Sequence, residues 1–429
     1  MSRVPQPVRD CPNSDGGTAR STLGWTLRPL GGAVMRMTLD SKGYIVLPED
    51  FCRRYGLEGG KELLVAGTEM GIMLFPLCPN IRKVYVEVTT RCNLACRTCV
   101  RNVWGDPLAD MGDATFKRLL EGMRELPELQ EVLFGGYGEP FVHPRFLDYL
   151  AAVKELGVRV TVSTNGTLLD EERARALVEI GVDVLSISVD GARPEVFADI
   201  RQGADLRTVV ENVEALNRIK RERGQLIPRI QLEFVALKRN VDDLPALSEL
   251  AYRLEANRIL VTHVLPHTPE MAAEALYGRD ERPPLPIPPG WALRSGPWLL
   301  WGIVELPRMN WGAERRCRFM ANKALVVGWD GGVSPCYALS HTYPYYIFGR
   351  RKNVTRYVLG NVNEKSLAEI WTSDEYVRFR AEVLNFRFPS CVDCLLRDTC
   401  DLAESNSGCW GWSPSCADCL WAQDIVRCP

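Results

Sequence analysis

The sequence predicts an α/β protein: a partial (β/α)6 barrel preceded by a small β-rich module and followed by a cysteine-rich domain. Three observations predict it. From about residue 82 to 265, six short apolar runs alternate with five stretches of helical period. Ahead of them, residues 35–78 carry short alternating apolar runs broken at Lys42-Gly43 and Gly59-Gly60. Behind them, nine of the chain's fifteen cysteines crowd into residues 317–428. A chain of 429 residues can hold two or three domains, each burying its own core.

Taken in order, residues 1–34 are rich in Pro, Gly, Ser and polar residues without a period, which predicts a flexible lead. Residues 35–78 predict a β module with one short helix near 49–55. Its phrase SKGYIVLPEDFCRRYGLEGG resembles the AbrB-like swapped-hairpin modules, which dimerise and often bind DNA. Arg36, Lys42, Arg53, Arg54 and Lys61 are matched here by a similar number of Asp and Glu residues, which disfavours DNA binding by phosphate neutralisation, and a homodimerising or partner-docking module is expected.

Residues 79–265 carry the barrel. The strands are KVYVEV, QEVLFGG, RVTVSTN, VDVLSISV, RIQLEFV and RILVTHV, and helices are expected over 113–125, 144–156, 170–180, 206–223 and 241–254. Continuous apolar strands separated by amphipathic helices indicate a parallel sheet with crossover helices. In that architecture the functional residues sit at the C-terminal strand ends. Residues 266–315 are rich in Pro and Trp and form a linker that could line an entrance; residues 316–429 form the cysteine-rich domain.

Composition narrows the function. With 46% apolar residues, 25% charged residues and a net charge of −2, no broad positive field exists for a general nucleic-acid binder. The N-terminus lacks the apolar core of a signal peptide, and no stretch approaches 18 uninterrupted apolar residues, so a soluble, cytoplasmic protein without membrane contact is expected. That compartment keeps thiols reduced, so fifteen cysteines are not a disulfide framework. Clustered as they are, they read as metal ligands.

Cys92, Cys96 and Cys99 lie in VEVTTRCNLACRTCVRN, directly after the first barrel strand. The C-x3-C-x2-C spacing puts three thiolates on one tight loop, which suits three corners of a [4Fe–4S] cube and leaves one iron without a protein ligand. A zinc site would want a fourth ligand nearby, and His143, His263, His267 and His341 are all distant in sequence. The next three strands end in FGGYGEP, STNG and SISVDG. Gly136 and Gly138 let a backbone approach a ligand closely, and Glu139, Ser163, Asn165 and Ser188 offer polar groups at strand ends. Asn165-Gly166 and Asp190-Gly191 also read simply as turns.

The cysteine loop at the end of the first strand resembles the signature of the radical S-adenosylmethionine (SAM) enzymes. The resemblance implies that a [4Fe–4S] cluster on Cys92, Cys96 and Cys99 binds SAM and that its reductive cleavage gives a 5′-deoxyadenosyl radical. Thr98 departs from the pattern, in which an aromatic residue often leans on adenine. The GGYGE segment resembles the family's glycine-rich motif, which implies SAM contacts from Gly136, Gly138 and Glu139. Comparable positions in the family imply further contacts from Ser163, Asn165, Ser188 and Arg201, the last in DIRQG.

The C-terminal cysteines resemble the SPASM domain, which holds two auxiliary [4Fe–4S] clusters. The C-x13-G-x4-C part runs from Cys317 through Gly331 to Cys336, and the C-x2-C-x5-C part is Cys391, Cys394 and Cys400. The pattern's next cysteine is replaced by Glu404, and Cys409 arrives five residues later. Carried over by order, the resemblance implies Cys317, Cys336 and Cys409 for one cluster. It implies Cys391, Cys394 and Cys400 for the other, closed by Cys416, Cys419 or Cys428. The paired C-x2-C knuckles at 391/394 and 416/419 also suit zinc.

The tail CWGWSPSCADCLWAQDIVRCP together with the N-terminal β module is similar to the radical SAM maturases of tungsten-dependent oxidoreductases of the aldehyde:ferredoxin type. That resemblance implies a tungstopterin cofactor or a segment of the partner oxidoreductase as substrate, and a ferredoxin- or flavodoxin-like electron donor. Two other functions fit the motifs: a maturase that forms a crosslink or thioether in a ribosomally made peptide, and a DNA-binding redox sensor, which the charge balance disfavours.

Overall fold

The computed structural model describes residues 41–42, 46–49, 52, 63–68, 71–279, 285–286, 303–310, 314–386, 388–391, 394–400, 404–407 and 413–428. The chain divides into two compact units, Met1–Pro79 and Asn80–Pro429. In the first, β1 (Leu63–Thr68) and β2 (Gly71–Pro76) form an antiparallel hairpin, with Leu63 opposite Pro76 and Thr68 opposite Gly71. Val65, Ile72 and Leu74 are exposed on it. The expected lead at 1–34 and most of the expected helix at 49–55 lie outside the described residues.

The second unit is built on a ten-stranded sheet. Six consecutive parallel strands make its centre: β3 (Lys83–Val86), β4 (Glu131–Phe134), β5 (Arg159–Thr164), β6 (Val184–Ser188), β7 (Arg229–Ala236) and β8 (Ala256–His263). These are the six apolar runs of the sequence. They read as continuous because both faces are covered: Val84, Val86, Val132, Phe134, Val160, Leu185 and Leu232 are all buried.

The crossover helices are α1 (Asp113–Arg124), α2 (Phe146–Lys154), α3 (Glu171–Ile180), α4 (Pro194–Ile200), α5 (Leu206–Glu222) and α6 (Leu247–Arg253). Local chemistry sets their ends. Asp170 caps α3 by accepting from Arg173 N, and Gly181 closes it in the left-handed conformation at φ 77°. The stretch expected as one helix over 241–254 opens instead as a 3-10 turn, Val241–Asp243, before α6 begins. Pro245, which has no N–H for the helical ladder, stands at that junction. Two short helices that the periodicity does not announce are α4 and α7 (Pro269–Ala273); seven and five residues are too few to show a period.

The sheet continues past both ends of the barrel. At one edge β9 (Ile303–Glu305) pairs parallel with β8. At the other, after α8 (Arg318–Ala321), β10 (Ala324–Val327) pairs parallel with β3, placing Ala324 opposite Lys83 and Val327 opposite Val86. β11 (Gly332–Ser334) then pairs antiparallel with β10. Beyond the separate hairpin of β12 (Tyr343–Ile347) and β13 (Arg350–Val354), β14 (Gly360–Asn361) adds to β11. Helices α9 (Leu367–Thr372) and α10 (Asp374–Leu384) follow. The C-terminal segment lies across the tip of β8: His263 N donates to Ile425 O at 3.1 Å, and Arg427 N to Thr262 Oγ1 at 2.8 Å. Among the described residues no helix is long and apolar enough to cross a membrane.

Candidate functional site

The C-terminal strand ends open into one cavity of about 240 Å³. Its first wall is the loop after β3. Cys92, Cys96 and Cys99 all line the cavity, and each thiol receives an N–H. Leu94 N and Asn165 Nδ2 approach Cys92 Sγ at 3.4 and 3.8 Å, Arg201 Nη1 approaches Cys96 Sγ at 3.9 Å, and Arg101 Nε approaches Cys99 Sγ at 3.3 Å. Backbone bonds from Ala95 N to Gln202 O and from Arg97 N to Ile200 O tie the loop to the end of α4.

Burial pushes the Cys92 and Cys96 thiols up, opposed by the Leu94 N–H and Arg101 at the first and by Arg201 at the second. Donors and cations aimed at every sulfur are the surroundings a deprotonated, iron-bound thiolate needs. The donor set fits a [4Fe–4S] cluster on this count. Among the described residues no three His, Cys, Asp or Glu side chains already stand in a metal-holding arrangement, so the fit rests on the chemistry of the loop and not on closed ligand geometry.

The facing wall comes from the next strand ends, and it contains every residue expected to contact SAM: Gly136, Gly138, Glu139, Ser163, Asn165, Ser188 and Arg201. Gly136 adopts φ +119°, and a Cβ there would run into the Glu87 carboxylate; at Gly138 a Cβ would run into the Thr89 carbonyl. Only glycine lets the chain pass this close to the cysteine loop.

Glu139 is engaged by the protein's own groups. It is 2% exposed, and its carboxylate accepts from Thr164 Oγ1 and Asn165 N, both at 2.7 Å, and from Phe141 N at 3.2 Å. It fastens the ends of β4 and β5 together, and burial raises its pKa against those hydrogen bonds. Asn165 is likewise engaged, donating to Asn93 Oδ1 at 2.9 Å and accepting from Thr167 N at 2.9 Å. Ser163 donates to Glu233 at 3.2 Å. Arg201 donates to Asp190 at 2.6 Å, and Asp190, fully buried, also accepts from Val235 N at 2.8 Å.

Several residues of the site escape sequence reasoning. Glu233 lines the cavity with its pKa raised by burial. Its signal is a lone carboxylate inside the apolar run RIQLEFV. Glu87, at the end of β3 and 1% exposed, accepts from Tyr137 N at 2.7 Å through Oε1 and from His341 Nε2 at 2.7 Å through Oε2. The other ring nitrogen of His341 meets Asp106 at 2.6 Å, and Trp104 packs on the imidazole at 4.2 Å between centroids. Burial works against a charged His341, but Glu87 and Asp106 together carry its pKa up to about 9. His263 and Tyr337 also line the cavity.

The auxiliary cysteines fall into separate neighbourhoods. Cys317 stands at the start of α8 and Cys336 just after β11. Burial pushes the Cys317 thiol up to about 12, with Cys419 adding to it. Cys336 is pushed up by burial and then by Cys419, Cys317 and Cys416, and Cys416 by burial and then by Cys419 and Cys317. Cys419 thus acts on Cys317, Cys336 and Cys416, as it does on Cys428. Cys391, Cys394 and Cys400 lie partly buried around a 3-10 turn, Arg397–Thr399, and Cys409 lies outside the described residues. Cys428 lines the barrel cavity, where it accepts from Trp421 Nε1 at 3.1 Å.

A parallel barrel with three thiols on the loop after its first strand, continued by a cysteine-rich extension, defines a radical SAM protein with an auxiliary iron–sulfur domain. Residues 86–245 match the family model of the radical SAM superfamily, and residues 317–395 match that of SPASM, an iron-sulfur cluster-binding domain. The chain is 41% identical over 352 residues to the tungsten-containing aldehyde ferredoxin oxidoreductase cofactor-modifying protein of Pyrococcus furiosus, across 81% of this chain and 97% of that one. It is 30% identical over 316 residues to the PqqA peptide cyclase of Ruegeria pomeroyi, across 66% and 72%. The solved structure of Streptococcus suis SuiB bound to precursor peptide SuiA shares the fold, with a TM-score of 0.52 at 16% identity over 75% of this chain and 71% of that one. The chain belongs to the radical SAM superfamily, in the SPASM-containing family of the Pyrococcus cofactor-modifying protein. Its radical SAM domain binds a [4Fe–4S] cluster and SAM, and its SPASM domain binds iron–sulfur clusters.

Proposed function

We propose that the protein activates SAM at a cluster held by Cys92, Cys96 and Cys99 and modifies the pterin cofactor of a tungsten-dependent oxidoreductase of the aldehyde:ferredoxin type. The observation that carries this reading is the single cavity in which the cysteine loop faces the glycine and hydroxyl wall, in a chain 41% identical to a cofactor-modifying protein. When bound, cluster and SAM supply a 5′-deoxyadenosyl radical that takes a hydrogen atom from the substrate.

The chain's own residues hold and shield that chemistry. Gly136 and Gly138 give the backbone its close approach, and their carbonyls are suited to the SAM ammonium because Glu139 is already bonded to β5. Ser163, Ser188 and Arg201 are suited to the ribose and carboxylate, with Asp190 holding the guanidinium at its post. The effect of Cys419 on Cys317, Cys336 and Cys416 supports these four as one auxiliary ligand set. Cys391, Cys394 and Cys400 then supply three ligands of a second cluster. A ferredoxin- or flavodoxin-like protein delivers the electron, and the exposed apolar residues Val65, Ile72 and Leu74 of the N-terminal hairpin suit an AbrB-like pairing with a second copy.

A second reading, a peptide as substrate, is supported by the 30% identity with a peptide cyclase. Anaerobic reconstitution followed by metal analysis and a substrate comparison tests the proposal. About twelve irons per chain, without zinc, is expected for three [4Fe–4S] clusters. About four irons with bound zinc overturns the auxiliary assignment. Turnover of a peptide in place of the pterin cofactor overturns the substrate.

A further inference from the structure

The cavity is lined by more than the residues assigned to SAM: the tip of β8, Tyr337 and the C-terminal segment that crosses β8 also border it. Among the described residues, two buried polar side chains of this lining have no hydrogen-bond partner. His263 is 1% exposed with neither ring nitrogen hydrogen-bonded, and Tyr337 is 6% exposed with its hydroxyl unpaired. Buried polar groups are almost always paired, and an unpaired one in a cavity is a group that expects a ligand.

Arg427 donates to Asp424 at 2.9 and 2.6 Å, Arg318 meets the same carboxylate at 3.1 Å, and Arg201 is bound to Asp190. Burial, with Arg427 close by, lowers the pKa of His263 to about 4, so its ring is neutral and presents one N–H and one bare nitrogen. The Tyr337 hydroxyl likewise both donates and accepts. The complement of each is an uncharged group that carries a donor beside an acceptor.

Resting on the function proposed above, we propose that His263 and Tyr337 are the substrate-recognition residues of the barrel, binding a neutral amide-type edge, N–H beside C=O. A pterin ring offers that edge through its aminopyrimidinone, and a peptide group offers it through the main chain. The two sources are separated by the probe.

The experiment is anaerobic titration calorimetry on the full-length, cluster-reconstituted protein with SAM present. The probes are pterin itself and acetyl-glycyl-glycinamide, and the variants are His263→Phe, Tyr337→Phe and His263→Gln. Each Phe variant is expected to weaken pterin binding by about tenfold or more, the scale of leaving one buried polar group unpaired. SAM affinity should stay within about twofold, and His263→Gln, which keeps a donor and an acceptor, should retain most of the pterin affinity. The same pattern with the dipeptide in place of pterin upholds the amide-edge assignment and overturns the cofactor reading. Unchanged affinity in both Phe variants overturns the assignment, as does no saturable binding of either probe or an equal loss of SAM affinity.

Discussion

Replacing His341 by Gln removes one charge from a buried group of three without leaving a hole. In the native protein the imidazolium lies between Glu87 Oε2 and Asp106 Oδ2, with a side chain only 4% exposed. Its pKa of about 9 in the folded protein stands above the ordinary value of 6.5. That gap corresponds to about 3 kcal/mol, since one pKa unit is about 1.4 kcal/mol. Because the folded pKa is raised, the contribution is fully present below pH 6.5, declines between 6.5 and 9, and is lost above that range. The assay is anaerobic urea unfolding of the wild type and His341→Gln at pH 6, 7.5 and 9.5. The stability difference between them is expected to be of the order of 3 kcal/mol at pH 6 and to vanish by pH 9.5. A difference that stays constant across this window refutes a charged His341. The same variant should weaken SAM binding, because Glu87 also anchors Tyr137 N in the glycine loop.

Three further outcomes follow from the same geometry. Gly138→Ala places a Cβ against the Thr89 and Arg91 carbonyls, which are backbone and cannot step aside, so SAM binding measured by equilibrium dialysis should be abolished or the protein should fail to fold. Asp190→Asn leaves the Arg201 guanidinium buried without its carboxylate; a loss of about 3–5 kcal/mol in unfolding stability is expected, whereas Arg201→Met with Asp190→Asn should recover part of it. Cys92→Ala should lower the iron content by about four per chain while leaving the auxiliary clusters' absorption, and Cys336→Ala should do the converse.

What could be read in advance divides along the range of the interactions. The six parallel strands are legible because each is buried on both faces, and a strand such as Val132–Phe134 must then be apolar throughout. The cysteine loop and the glycine wall are legible because a tight spacing of ligands and a close backbone approach are local demands, written within a few residues. Glu139 shows the limit: a carboxylate at a strand end reads as a ligand group, yet whether it faces a ligand or Asn165 N depends on the neighbouring strand. His341 and Asp106 meet across 235 residues of sequence, and no periodicity announces that meeting. Cys416 and Cys419 are visible as a C-x2-C pair, but that their charges bear on Cys336 is set by how the tail returns to the sheet.

The continuity of the sheet gives that return a mechanical meaning. β3 delivers the cysteine loop from its C-terminal end, and its free edge is not left bare but pairs with β10, register for register, from Lys83–Ala324 to Val86–Val327. Cys317 and Cys336 lie on the segments that lead into β10 and out of β11, so the strand that leads into the cysteine loop also holds the segments carrying these two thiols through backbone hydrogen bonds. Glu87, at the end of β3, adds a second tie through His341 on the loop after Cys336. A flexible linker between two independent domains would let the cluster separation drift. Here it is fixed by ladder hydrogen bonds and a buried charge group, each costly to break. The separation between the cysteine loop and the Cys317 and Cys336 thiols therefore does not depend on domain motion.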